Sequence, residues 1–142
     1  MGRPAPILGV AAGALIQDEF GRVLLQRRGD DGLWGVVGGS LNPGEDFLSG
    51  VRRELLEETG LTVQTLKRVQ FLAGPELRFT DHRGVWDSVG MIYQAEGVTG
   101  DLRLPEGEIT EARWFTLDEL ESVNLLGVYT GKAVRHWAGK MA

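Results

Sequence analysis

The sequence predicts an α/β domain in which a mixed β-sheet carries helices on its faces. Strand-like apolar runs outnumber helix-like ones. Hairpin-type, Gly-containing turns dominate the links between them. The clearest helical segment has one apolar and one acidic face, and with strands in the majority its apolar face packs on the sheet. At 142 residues the chain fits one domain, 1–142, with a single core. Hydrophobic residues at 42% and charged residues at 25% are globular values, which excludes disordered, collagen-like and membrane-embedded classes. Glycine is in excess at 21 residues, which implies many turns or close backbone approaches.

Taken in order, "ILGVAAGALIQ" (Ile7 to Gln17) and "RVLLQRR" (Arg22 to Arg28) flank the Gly-containing "DEFGR", so the pair reads as a β-hairpin. "DDGLWGVVGG" reads as a short strand running into a loop. From Asp46 to Thr59 the apolar residues Phe47, Leu48, Val51, Leu55 and Leu56 recur at helical spacing. "NPGED" supplies an N-terminal turn, and Gly60 stands where a C-cap glycine belongs. "LTVQTLKRVQFLAG" and "WDSVGMIYQAEGV" read as strands, with "DHRG" as the turn between hairpin arms. "ITEARWFTLDELES" combines a strand near Ala112 to Phe115 with a helix start, Thr116 and Glu119 being spaced as a capping box. The terminal "GVYTGKAVRHWAGK" reads as a helix weakened by Gly127 and Gly131.

Twenty acidic against 15 basic residues leave a net charge of −5, so no cationic field favours a polynucleotide partner. Absent cysteines exclude disulfides, thiolate metal sites and cysteine nucleophiles. No signal-peptide pattern and no apolar run of about 18 residues is present, so no membrane partner is expected and the default compartment is cytoplasmic.

The chemistry concentrates in "GGSLNPGEDFLSGVRRELLEETGL", Gly38 to Leu61. On a helix of about 3.6 residues per turn, Glu54, Glu57 and Glu58 share one face, a mildly repulsive arrangement unless a cation offsets it. Carboxylates are hard oxygen donors suited to Mg²⁺, and a glycine pair lets backbone approach a ligand closely. Glycine loop plus acidic helix therefore points to metal-assisted phosphate chemistry, in which the site neutralises charge, orients a water and takes its proton. The plainer reading is a solvated acidic face, with Arg53 and Glu57 as a surface i,i+4 pair.

The same stretch resembles the Nudix box, the signature of the Nudix hydrolases. That pattern is Gly, five residues, Glu, seven residues, then Arg-Glu-apolar-any-Glu-Glu-any-Gly-apolar. Gly39, Glu45, Arg53, Glu54, Leu55, Glu57, Glu58, Gly60 and Leu61 match every defined position. The resemblance implies a Nudix-type α/β/α sandwich around a mixed β-sheet, holding Mg²⁺ or Mn²⁺ against a pyrophosphate. It implies hydrolysis of a nucleoside diphosphate linked to another group, hence a small nucleotide-type substrate. By position, Glu57 and Glu58 are implied metal ligands, Glu54 a ligand or the base acting on water, and the Gly38 carbonyl a backbone ligand. Gly39, Glu45 and Arg53 are implied supports of the box. A further carboxylate outside the box is common in that family; Glu108 is the first candidate for it and Glu111 the second. Two departures from frequent family residues are Val37, where Pro often stands, and Asn42, where Glu often stands. Homodimers are frequent among such proteins, so a homodimer is a further expectation from resemblance.

For the substrate, Trp34 is the preferred base-stacking residue, ahead of Phe79, Trp86 and Trp114, each of which packing also explains. Arg78 and Arg83 are candidates for a distal phosphate or sugar, with a solvated hairpin tip as the alternative. His82 and His136 form no ligand pair. Pro75, 15 residues after Gly60, lies where ADP-ribose-cleaving relatives often have proline, so ADP-ribose or another nucleoside diphosphate sugar is the preferred substrate. The alternatives are a sanitising nucleoside triphosphate hydrolase and a non-catalytic nucleotide sensor.

Overall fold

The computed structural model of the chain describes residues 6–28, 32–104, 109–125 and 127–141. In chain order the elements are β1 (Ile7–Ile16), β2 (Val23–Arg28), β3 (Trp34–Gly35), β4 (Val37–Ser40), α1 (Phe47–Thr59), β5 (Thr62–Ala73), β6 (Phe79–Asp81), β7 (Gly84–Thr99), β8 (Ile109–Phe115) and α2 (Gly127–Met141). Single 3-10 turns occur at Pro75–Leu77 and Glu119–Ser122.

The strands form two sheets. The larger has the order β4-β1-β7-β5, with β6 added to β7; β1 and β7 run parallel and its other pairs antiparallel, so it is mixed. The smaller is antiparallel, in the order β3-β2-β8. Each face of this strand layer is covered by one helix. Val51 and Leu55 of α1 pack on Ala12, Ala14, Ile16, Leu24 and Val37. Ala133, Val134 and Trp137 of α2 pack on Leu15, Val23, Leu25 and Phe115. Leu24 and Leu25 are adjacent and both fully buried, yet they join different clusters, because successive strand side chains point to opposite faces. Each such Leu contributes roughly 1.5–3 kcal/mol by leaving water. The result is the expected α/β/α sandwich.

Local signals account for the helices. The Asp46 carboxylate accepts from the Ser49 N–H at 2.7 Å and caps α1, and Gly60 closes it in the left-handed conformation with φ 75°. Gly50 stands mid-helix because the Leu41 side chain and Glu45 Oε1 occupy the space its Cβ would need. Thr116 and Glu119 do form the reciprocal capping box, with bonds of 3.0 and 3.2 Å, but it opens one 3-10 turn rather than an α-helix. The β6–β7 hairpin turns at His82 and Arg83 as the "DHRG" reading required. The α2 segment is helical despite its glycines, since its apolar face is buried.

Two expectations fail. β1 and β2 are joined by a tight turn, in which the Asp18 N–H donates to the Arg22 carbonyl at 2.9 Å, but they share only the bridge between Gln17 and Val23. Both edges of β1 are taken by β4 and β7, so β2 diverges into the smaller sheet. The "VVGG" stretch is likewise no loop. It is β4, paired along β1 with Gly13 opposite Gly38 and Ala12 opposite Gly39. Among the described residues no helix is long and apolar enough to cross a membrane.

Candidate active site

β4 forms one edge of the larger sheet, and there the glycine pair meets α1. The Leu41 N–H donates to the Val10 carbonyl at 2.9 Å, and bonded and non-bonded pairs alternate along an antiparallel ladder. Gly38, three residues earlier, therefore falls on a non-bonded pair, and its backbone N–H turns away from β1 to donate to the Glu58 carboxylate. Gly39 lies directly beneath Glu54: a Cβ there would sit 2.9 Å from Glu54 Oε1.

Arg53 organises the acidic segment with all its N–H donors. Nε and Nη2 grip both oxygens of Glu45 at 2.7 and 2.9 Å, Nη2 also reaches the Ser40 carbonyl at 3.1 Å, and Nη1 bonds Glu54 at 3.0 Å and Glu57 at 3.2 Å. Glu45 Oε1 additionally accepts from the Asn42 N–H at 2.9 Å, so Asn42 serves the loop through its backbone. The Arg53 guanidinium and that N–H hold the Glu45 carboxyl down to about 2, below its ordinary 4.5. Because this folded value lies below the unfolded one, the stabilisation is complete above pH 4.5 and is lost as pH falls toward 2. Glu45→Gln is accordingly expected to lower the melting temperature by a few degrees at pH 7, with the gap from wild type narrowing as melts are repeated from pH 5 to 3.

The three box carboxylates do not share one environment. Glu54 and Glu58 are partly buried and hydrogen-bonded to each other one turn apart, whereas the Glu57 side chain is 60% exposed. Glu58 is further held by the Nε2 amide of Gln26 on β2. Burial, followed by the adjacent Glu54, pushes the Glu58 carboxyl well above the usual carboxylate range, against the pull of Gln26 and of the Gly38 N–H. Among the described residues no three acidic or histidine side chains stand together as a ready metal site. The donor set nevertheless fits a hard divalent ion completed by water: paired carboxylates short of positive charge, and beside them the buried Gln26 Oε1 with no hydrogen-bond partner among the described residues. Gly39→Ala is expected to push Glu54 aside, lowering turnover roughly 10–100-fold with little change in melting temperature; steady-state rates and a thermal melt check this.

Among the described residues, the other candidates lie apart from this cluster. Glu111 pairs with Arg27 across β8 and β2 at 3.4 Å, and Glu108 lies outside the described residues. Arg78 is clasped by Asp87 at 2.8 and 3.0 Å; Asp87 stands opposite Leu8 of β1, five residues before Gly13, so Arg78 does not join the carboxylates. Trp34 stands opposite Arg27 while Gly35 stands opposite Gln26, which puts Trp34 and Gln26 on opposite faces of the smaller sheet. Trp34 packs edge-on against Phe115 at 4.8 Å, with the Arg113 guanidinium 5.8 Å from its ring. Together with Asn124 and neighbours they line a cavity of about 320 Å³. Gln26, Arg113 and Asn124 were not evident from the sequence. Gln26 alone carried a signal, being a neutral amide on the strand face that holds Leu24.

Comparison with known proteins shows the family. The NUDIX domain model matches residues 7–136. A MutT-like protein of Streptomyces ambofaciens is 33% identical over 115 residues, 81% of this chain and 68% of that protein. An oxidized purine nucleoside triphosphate hydrolase of Mus musculus is 36% identical over 112 residues, 73% of this chain and 64% of that protein. The chain thus spans about two thirds of the length of these relatives. The MutT NUDIX hydrolase structure from Burkholderia pseudomallei superposes with a TM-score of 0.75 at 28% identity, covering 91% of this chain and 97% of that one. With a complete box at the junction of β4 and α1 and a family match over nearly its whole length, the chain belongs to the NUDIX domain family.

Proposed function

We propose that the chain hydrolyses a pyrophosphate bond of a nucleoside triphosphate, releasing the monophosphate and pyrophosphate. The observation that carries the hydrolytic part is the Glu54–Glu58 pair, set against Gly38 and Gly39 and braced by Arg53 and Gln26. Glu57 and Glu58 would hold a divalent ion, Mg²⁺ or Mn²⁺, with Glu54 as a further ligand or as the base that takes the proton of the attacking water. The Gly38 carbonyl would be a backbone ligand. Arg53 keeps Glu54 and Glu57 in place while Glu45 neutralises it. The bound ion supplies charge neutralisation on the phosphates and orients the water. Glu108 remains the candidate for a further carboxylate.

The triphosphate preference is supported by the relatives at 33% and 36% identity, a MutT-like protein and an oxidized purine nucleoside triphosphate hydrolase. The ADP-ribose preference loses its main support, since Pro75 occupies the first turn of a 3-10 helix, a position that favours proline for backbone reasons. The test is a hydrolysis panel of ordinary and oxidised nucleoside triphosphates, ADP-ribose, other nucleoside diphosphate sugars, dinucleoside polyphosphates and NADH, with Mg²⁺ or Mn²⁺. Pyrophosphate as product supports this reading. A sugar phosphate as the main product would replace it with the diphosphate sugar reading, and silence from folded, metal-bound protein would favour a sensor.

A further inference from the structure

Gln26 is 5% exposed, on the strand face it shares with the buried Leu24 and with Ala112 of β8. A primary amide in such a place is costly unless both of its ends are bonded, and an apolar residue of equal size would pack there without penalty. Only one end is bonded. Nε2 donates to Glu58 Oε2, and Oε1 is buried with no partner among the described residues. Glu58 in turn is contacted by Gln26, by the Gly38 N–H and by Glu54, and Gln26 approaches it from the smaller sheet while the other two belong to β4 and α1. Among the described residues no three acidic or histidine side chains stand together as a ready metal site, so an ion at the Glu54–Glu58 pair must draw its remaining oxygens from elsewhere. An amide oxygen is a neutral hard acceptor suited to water in a divalent ion's hydration shell.

We infer that Gln26 is a positioning residue of the metal site: its N–H fixes the Glu58 carboxylate, and its Oε1 receives a hydrogen bond from the ion's hydration water. This rests on the proposed metal site and adds to it a group outside the box. It accounts for both halves of the amide, the bonded nitrogen and the orphaned oxygen. Packing alone accounts for neither.

The experiment is Mn²⁺ titration of the full chain without nucleotide, followed by calorimetry or by the electron paramagnetic resonance signal of free Mn²⁺. The proteins compared are wild type, Gln26→Met, Gln26→Leu, Glu58→Gln and the Gln26→Met/Glu58→Gln double variant, each with a thermal melt. Gln26→Met is expected to melt at or above the wild-type temperature, because a half-bonded buried amide has been replaced by an apolar chain of similar length. Its Mn²⁺ affinity is expected to fall about 10–100-fold, the size of loss seen when supports of metal ligands are removed. At saturating metal, kcat falls while KM stays within about twofold. In the Glu58→Gln background the Gln26→Met change has little further effect on Mn²⁺ affinity, since Gln26 acts largely through Glu58. Gln26→Leu gives the same answers should the methionine variant be unstable. Mn²⁺ affinity within twofold of wild type in a folded Gln26 variant, with Glu58→Gln impaired, overturns this inference and leaves the metal site standing. So does strict additivity in the double variant. If wild type and Glu58→Gln bind Mn²⁺ equally weakly, the proposed metal site itself falls and Gln26 with it.

Discussion

Glu58→Gln is expected to lower metal-dependent kcat/KM by more than about 100-fold, the upper end of what supports of metal ligands alone are worth. The amide keeps the volume of the carboxylate and an oxygen to accept from Gln26 and the Gly38 N–H. What it removes is the charge. In the metal-free protein that charge is unfavourable, because the carboxyl is buried and lies against Glu54. Fold stability in chelator should therefore be equal to wild type or higher. The two states should diverge when metal is added: wild type gains melting temperature as Mn²⁺ is raised, in the manner of any ligand that binds only the native state, and the variant does not. Product chromatography against a metal titration, with melts at the same concentrations, measures both. Retention of most of the wild-type rate at saturating Mg²⁺ would remove Glu58 from the ligand set.

Gly38→Ala is expected to have the largest effect on the fold. Gly38 sits at φ 151°, a backbone region that L side chains rarely adopt. A Cβ there would collide with the Ala12 carbonyl oxygen and lie 2.5 Å from the Gly13 Cα. Both obstacles are backbone of the central strand β1, which is hydrogen-bonded on its two sides and cannot retreat cheaply. The expected cost is ~3 kcal/mol or more. That corresponds to a fall in melting temperature of about 6–12 °C for a chain of this size. The neighbouring Gly39→Ala makes the control, since its Cβ meets only the end of the Glu54 side chain. Adjacent glycines should therefore separate: one substitution harms the fold, the other the rate. Equal melting temperatures for the two variants would show that β4 is not locked against β1 as described.

Much of this was legible because it is local. The α1 limits follow from Asp46 and Gly60, whose capping roles depend on a few neighbouring residues. The capping box at Thr116 and Glu119 could be read for the same reason, although its helix stops after one turn. The course of β1 and β2 escapes such reading because turn chemistry says that the chain reverses, not that the arms stay together. Competition from β4 and β7 for the edges of β1 is a long-range matter that no window of sequence displays. The box positions were legible from their spacing, yet equal spacing hid unequal surroundings: Glu54 and Glu58 turn inward and Glu57 outward. Gln26 comes to Glu58 across 32 residues, and the Trp34 cavity gathers β3, β8 and the turn after it, so neither could be read along the chain.

The α1 carboxylates and the Trp34 cavity are built from different stretches of polypeptide. The carboxylates hang from α1, capped by Asp46 and tied to β5 by Arg52, which donates to the Val63 and Gln64 carbonyls at 2.6 and 3.1 Å. The cavity is made by Trp34 together with residues from Arg113 to Asn124. Substitutions around the cavity can therefore reshape it without touching the acidic segment, because no residue of α1 lines it.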